Sequence, residues 1–202
     1  MYTEFPYVLH VTDFSETNVP WHWHEAFEFG YTTKGSVQVD TTDGSYIFPE
    51  GEGYFINSNV LSTMHIEKGR DAAVNEAYLF HPVFLAGHFG SLFESKYIRP
   101  VMDDRQLQLL AIRGKTDRQK KMLTLMRHLS AQDTMKYREF LIRNTISELW
   151  LLLMDEIADT DLSVREVAMR TGFSDTAYFG KVFRENTGMT PLAFHRRYRH
   201  QK

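Results

Sequence analysis

Short runs in which apolar and polar residues alternate fill the first eighty positions: FEFGYTT (27–33), SVQVDTT (36–42), SYIF (45–48) and GYFIN (53–57). Gly35, Asp43-Gly44, Gly51 and Gly53 punctuate them. A period of two between turn residues predicts β-strands, and strands this short and evenly spaced predict a sandwich or barrel from Tyr7 to about His81. No helical stretch separates them, which excludes a parallel α/β sheet. From about Phe84 the period becomes helical. One helix is predicted after Asp103 or Asp104, carrying Leu107, Leu110 and Ile112. Another follows Asp117, with Met122, Leu125, Met126 and Leu129 on one stripe. The longest spans about Thr134 to Ile157, with Tyr137, Leu141, Ile146, Leu149, Trp150 and Leu153 apolar. Leu149 to Met154 is apolar nearly all round and needs cover on several sides.

The last forty residues follow a different grammar. Ser163 and Glu166 form a capping box that starts a helix at Val164, and Gly172 permits the sharp turn that ends it. Ser174 is predicted to cap the next helix, which runs to about Thr187 and stops at Gly188. Pro191 suits the first turn of a last helix. Two short helices about a tight turn, with a third behind them, predict a helix-turn-helix, whose second helix is sized for the DNA major groove. At 100° per residue Phe179, Val182 and Phe183 share one side. Opposite lie Ala177, Gly180, Lys181 and Arg184, with Asp175 and Thr176 near the N-terminus. Small residues with Lys and Arg suit close approach to base edges and phosphates, whereas a solvated basic face needs no DNA.

Charge sharpens this division. The chain of 202 residues carries a net charge of −3, but residues 161–202 stand at +4 and residues 1–160 at −7. A basic tail on an acidic body is the footprint of a DNA-contacting module joined to another domain, and Arg196 and Arg197 add to it. A composition 43% hydrophobic and 14% aromatic is that of a globular chain. The absence of cysteine excludes disulfides and thiolate metal sites. The N-terminus lacks the pattern of a signal peptide, and the run LWLLLM is too short to span a bilayer. The expected location is cytoplasmic, without a membrane partner.

The block LSVREVAMRTGFSD-x-x-YFGKVFRENTGMTP, including Ala168, Gly172, Phe173, Tyr178, Phe179, Phe183, Gly188 and Pro191, resembles the second helix-turn-helix of the AraC/XylS family of bacterial transcription regulators. The family carries two such units joined by a long helix. Here Ala158 passes directly to DTDLSVREVA, so the first unit is expected to be missing. A single unit makes fewer contacts with DNA, and a dimer would restore two reading heads. The resemblance implies a ligand-sensing barrel, a helical region that pairs with a second subunit, and DNA as partner.

His22, His24 and Glu28 share parity, so on one strand their side chains would point to one face. The spacing H-x-H-x3-E-x6-G resembles the first motif of the cupin superfamily, and G-x4-P-x-G from Gly44 to Gly51 resembles part of the second. Tyr54 stands where metal-binding cupins place their final His, and the offset of His65 does not match that position. Three readings follow. The trio could ligate a divalent metal in a cupin enzyme, hydrogen-bond a small polar effector in an AraC-type sensor, or serve the structure alone. Trp21, Trp23, Phe27 and Tyr31 offer faces to a sugar ring, but Trp23, Phe27 and Tyr31 should point away from the His/Glu face.

The expected protein is α+β. A cupin-like sensing barrel spans 1–100, a helical dimerisation region 101–158 and a single three-helix helix-turn-helix 159–202. It is expected to be a non-enzymatic regulator, with no metal or other cofactor. DNA would meet Ser174, Asp175, Thr176, Ala177, Gly180, Lys181, Arg184, Arg196 and Arg197, and the effector, a carbohydrate among the candidates, would meet His22, His24 and Glu28. The alternative is a dimerising sensor that does not bind DNA.

Overall fold

The computed structural model describes residues 5–69, 72–159, 173 and 175–191. The chain forms two compact units, residues 1–156 and 157–202. Among the described residues of the first, the strands are β1 (Tyr7–Asp13), β2 (Val19–His22), β3 (Phe27–Lys34), β4 (Ser36–Thr41), β5 (Ser45–Pro49), β6 (Gly53–Ile56), β7 (Ser62–Ile66), β8 (Val74–Phe80) and β9 (Leu109–Ile112). They pair antiparallel in two sheets, ordered β1-β8-β3-β6-β9 and β2-β7-β4-β5.

Alternation along these strands separates an interior from an exterior. Phe14, Val37, Val39, Phe48, Tyr54, Ile56 and Met64 form one buried cluster. β3 is buried at six successive positions, Phe27 to Thr32, because both of its faces are covered. Glu28, Gly30 and Thr32 share the face of Tyr54. Phe27 and Phe29 lie on the other, among Phe55 and Phe80.

The helices supply that outer cover. Short turns α1 (Val83–Ala86) and α2 (Arg99–Met102), the latter preceded by a π-helical turn at Glu94–Ile98, lead into β9. Next come α3 (Asp117–Gln132) and α4 (Arg138–Asp159). Thr116, one residue before the expected cap, accepts from Gln119 N at 3.1 Å and starts α3. Met122, Met126 and Leu129 recur at helical spacing on its buried face. Tyr78 Oη donates to Met126 O at 2.9 Å, which fixes α3 to the sheet. α4 buries Ile142, Ile146, Leu149 and Leu153 and sets the Trp150 ring 4.7 Å from that of Phe27. Its indole N–H donates to Tyr97 O at 3.2 Å. Glu156 clasps both helices, accepting from Gln119 Nε2 at 2.7 Å and Arg118 at 3.2 Å.

One predicted element is a strand instead. Leu109–Ile112, expected within a helix, pairs with β6 and closes the first sheet. A run of four apolar residues carries too little periodicity to choose between the two, and the unpaired edge of β6 decides for the strand. The barrel therefore reaches residue 112, past the expected boundary at 100.

The second unit contributes α5 (Thr176–Thr187). The capping box at Ser163 and Glu166 and the turn at Gly172 lie outside the described residues.

Candidate functional site

His22, His24 and Glu28 are not on one strand. β2 ends at His22 in one sheet, the chain crosses over, and Glu28 is the second residue of β3 in the other. Parity holds only along continuous strand, and residues 23–26 between β2 and β3 interrupt it. The crossover nevertheless brings two of the three together, with His24 Nε2 3.3 Å from Glu28 Oε2. His24 Nδ1 lies 2.9 Å from Ala26 O. A carbonyl only accepts, so Nδ1 carries a proton, and the contact between Nε2 and the carboxylate holds a second one. Burial lowers the His24 pKa, but the hydrogen bond and charge of Glu28, with help from the Ala26 carbonyl, outweigh it and hold His24 above its ordinary 6.5.

Tyr54 completes the arrangement. Its hydroxyl donates to Glu28 Oε1 at 3.3 Å and accepts from Asn75 Nδ2 at 2.9 Å. Burial and the neighbouring Glu28 charge hold the phenol well above 10, so it stays a neutral donor. The ring fits because residue 30 is glycine: a Cβ there would lie 1.9 Å from Tyr54 Cζ. The result is a buried polar column, His24–Glu28–Tyr54–Asn75, along one face of the first sheet. Near its end Thr32 Oγ1 and Asn75 Oδ1, on residues opposite one another in register, are buried without a hydrogen-bond partner.

His22 stands apart, its Nδ1 3.0 Å from Pro20 O and its ring 5.6 Å from that of His24. His65 lies 3.8 Å from Asp40 in the other sheet, away from the column. Both Glu28 oxygens are engaged by protein groups, and among the described residues no three His, Cys, Asp or Glu side chains converge as a metal site would require. Trp21 and Trp23 are exposed, whereas Phe27 packs beneath α4.

A cavity of about 620 Å³ opens at the same end of the barrel. The β6–β7 loop (Asn57 to Leu61) and the segment from Met102 to Gln108 line it. Asn59 N donates to His24 O at 2.9 Å and Ser58 Oγ to Glu25 O at 2.8 Å, which ties this loop to the crossover. Asn57 Nδ2 donates to Val101 O at 2.7 Å, which ties it to the far wall. Sequence reasoning passed over these polar loop residues, whose shared surface exists only once β6 and β9 pair.

In the second unit Asp175 caps α5, accepting from Ala177 N at 2.7 Å and Tyr178 N at 3.3 Å. Gly188 ends the helix at φ +76, its N–H bonded to Arg184 O at 2.9 Å. Phe179 is buried, with its ring 5.3 Å from Phe173 and 5.6 Å from Phe183. Ala177, Lys181 and Arg184 are exposed, and Thr176 and Gly180 half-buried. Gly180, Lys181 and Arg184 form a groove with Glu185, Thr190 and Pro191. A Cβ on Gly180 would meet nothing within 4 Å, so the protein's own packing does not require glycine there. The other expected DNA contacts, Ser174, Arg196 and Arg197, lie outside the described residues.

Comparison with known proteins supplies the family. Residues 6–111 match the model of the AraC-like ligand binding domain, and residues 122–197 that of a helix-turn-helix domain. The latter match begins inside α3 and so takes in helices whose buried faces pack with the barrel. The chain is 52% identical over 40 residues, 20% of its length, to the HTH-type transcriptional activator RhaR of Enterobacter sp. (strain 638), a stretch that spans 14% of that relative. Among solved structures, apo ToxT from Vibrio cholerae resembles 96% of the chain over 98% of its own, at 10% identity and a TM-score of 0.44. A Neisseria meningitidis protein resembles 39% of the chain over 77% of its own, at 19% identity and a TM-score of 0.33. No helix among the described residues is long and apolar enough to cross a membrane. With the ligand-binding model matched across the whole barrel and the helix-turn-helix model across α5, the chain belongs to the AraC family.

Proposed function

We propose that this protein is a ligand-responsive, DNA-binding transcription regulator and not an enzyme. The observation that carries the reading is α5: capped at Asp175, stopped at Gly188, anchored by Phe179, and presenting small and basic residues on its free face. That face suits the major groove, with Asp175, Thr176, Ala177, Gly180, Lys181 and Arg184 toward DNA. Ser174, Arg196 and Arg197 extend the contact. The effector is a small polar molecule, a carbohydrate being the first class to test, held at the barrel end formed by His22, His24 and Glu28. A homodimer would bring two reading helices to one site.

A gel-shift titration against the DNA upstream of its own gene tests this. Salt-sensitive retardation that weakens on replacing Arg184 supports the reading, and no retardation at micromolar protein overturns it. One observation favours a second reading. α3 and the buried face of α4 belong with the barrel, which leaves residues 157–202 to carry the reading head by themselves. A chain that dimerises with a longer relative, and shifts DNA only in its presence, fits that arrangement.

A further inference from the structure

α4 carries a second stripe that the barrel does not cover. Ile142, Ile146, Leu149 and Leu153 are buried on one side of the helix. Turned away from them, Phe140, Asn144, Ser147, Leu151 and Met154 recur at alternating spacings of four and three residues. That spacing is a seven-residue repeat, the seam of a coiled coil, with Asn144 and Leu151 at a positions and the other three at d. Phe140 is 71% and Leu151 60% exposed, although covering such a side chain stabilises by about 1.5–3 kcal/mol. Just before the helix, Tyr137 stands at the preceding a position. It is exposed and held at φ +65, in the left-handed region that aromatic residues rarely adopt.

Charge gives the seam a direction. Arg143 precedes Asn144 at a g position, and Glu148 follows Ser147 at the next e position. In a parallel pair of helices a g residue meets the following e residue of the other copy, so Arg143 faces Glu148 on both sides of the seam. An antiparallel pair sets g against g and e against e. The g positions here hold Arg143 and Trp150, so that arrangement leaves Arg143 without an acidic partner. Within one chain the Arg143 guanidinium makes neither ion pair nor hydrogen bond among the described residues. Lys121 Nζ lies 2.6 Å from Glu148 Oε1 and leaves Oε2 open. Asn144 adds a second, independent signal: an asparagine at a single a position meets its twin across a parallel two-stranded coil and fixes the register.

We propose that the stripe from Phe140 to Met154 is the docking surface for a second copy of this chain, as a parallel, in-register, two-stranded coiled coil. Asn144 and Leu151 each meet their twins, and Arg143 of either copy pairs with Glu148 of the other. This rests on the homodimer proposed above, and it names the surface, direction and register of that homodimer. The seam is about 22 Å long. An interface of this size is at the weak end, with association on the order of micromolar.

Sedimentation of the full-length chain from about 1 to 100 μM should show a monomer–dimer equilibrium. Leu151→Glu, an exposed change whose folding circular dichroism checks, should weaken the dimer by about tenfold or more. Direction is read by cross-linking, which is clean because the chain has no cysteine. Asn144→Cys and Leu151→Cys, made separately, should each form a disulfide-linked dimer on mild oxidation, while the exposed Glu16→Cys on the barrel should not. An antiparallel pair can bring at most one of these two positions to its twin. Cross-linking at only one of them, or at neither, would overturn the parallel register. A dimer that persists undiminished in Leu151→Glu would overturn the α4 surface and leave the homodimer reading in place. A monomer at every concentration would overturn both. The gel shift reports on DNA binding apart from all of these outcomes.

Discussion

The two faces of β3 carry opposite chemistry. Phe27 and Phe29 look outward into a layer with Phe55, Phe80 and Trp150, closed by α4. Glu28 and Thr32, on the alternate positions, look inward to hydrogen bonds and unpaired polar atoms. In a barrel the interior is usually the core. Here the aromatic mass outside the first sheet holds the helices, and part of the interior is given to hydrogen-bonded polar groups. α5 repeats the division on a smaller scale, with Phe179 on its packed side and Lys181 and Arg184 on its free side.

Replacing Trp150 with Ala is the strongest way to break the outer face. The indole touches three phenylalanine rings and donates to Tyr97 O, so the loss should be about 3–5 kcal/mol. Denaturant titration would show it as a lower midpoint. Since α4 is the cover that Trp150 fixes, amides of Phe27, Phe55 and Phe80 should exchange faster in the variant.

Gly30→Ala attacks the inner face by adding one carbon. Its Cβ would fall 1.9 Å from Tyr54 Cζ, so the buried ring must move away from Glu28. Overpacking of this kind costs about 1–3 kcal/mol. A thermal melt no lower than wild type would show that the ring has room to yield and that Gly30 is not what seats it.

A smaller effect comes from pH. With its pKa held above 6.5, protonated His24 stabilises the fold fully below the unfolded value, and that contribution fades as pH rises through the folded value. Thermal stability should therefore decline as pH rises above the ordinary histidine value of 6.5 and through the raised folded value. Glu28→Gln removes the negative partner and should flatten that decline. An unchanged pH profile in Glu28→Gln would sever the link between the two residues.

How much of this was legible in the sequence depended on where the deciding information lay. The strands around Val37, Phe48 and Phe55 were readable because alternation and the glycines between them are local signals. α5 was readable for the same reason, since Gly188 stops it as expected, although its cap is Asp175, one residue after the expected Ser174. β9 was not, because Leu109–Ile112 becomes a strand only by meeting β6. The meeting of His24 with Glu28 was anticipated from parity, yet it is produced by a crossover between sheets. Tyr54 was noticed only as a departure from a histidine. Its bond to Glu28 depends on the bare backbone at Gly30, which lies twenty-four residues away in the chain. The cavity was the least legible part: Asn57, Ser58 and Asp103 sit in polar loops that have no pattern of their own.

The smallest expected change has the opposite sign and separates packing from recognition on α5. Glycine inside a helix costs about 1 kcal/mol relative to alanine, and nothing within 4 Å of Gly180 would obstruct a methyl group. Gly180→Ala should therefore stabilise the second unit, by about 0.5–1 kcal/mol in denaturant titration. If the bare backbone at 180 serves the approach of DNA, the same variant should lose affinity in the gel shift while it gains stability. Affinity that rises or holds with stability would mean that Gly180 faces solvent, and the reading surface would then have to be sought among Ala177, Lys181 and Arg184 without it.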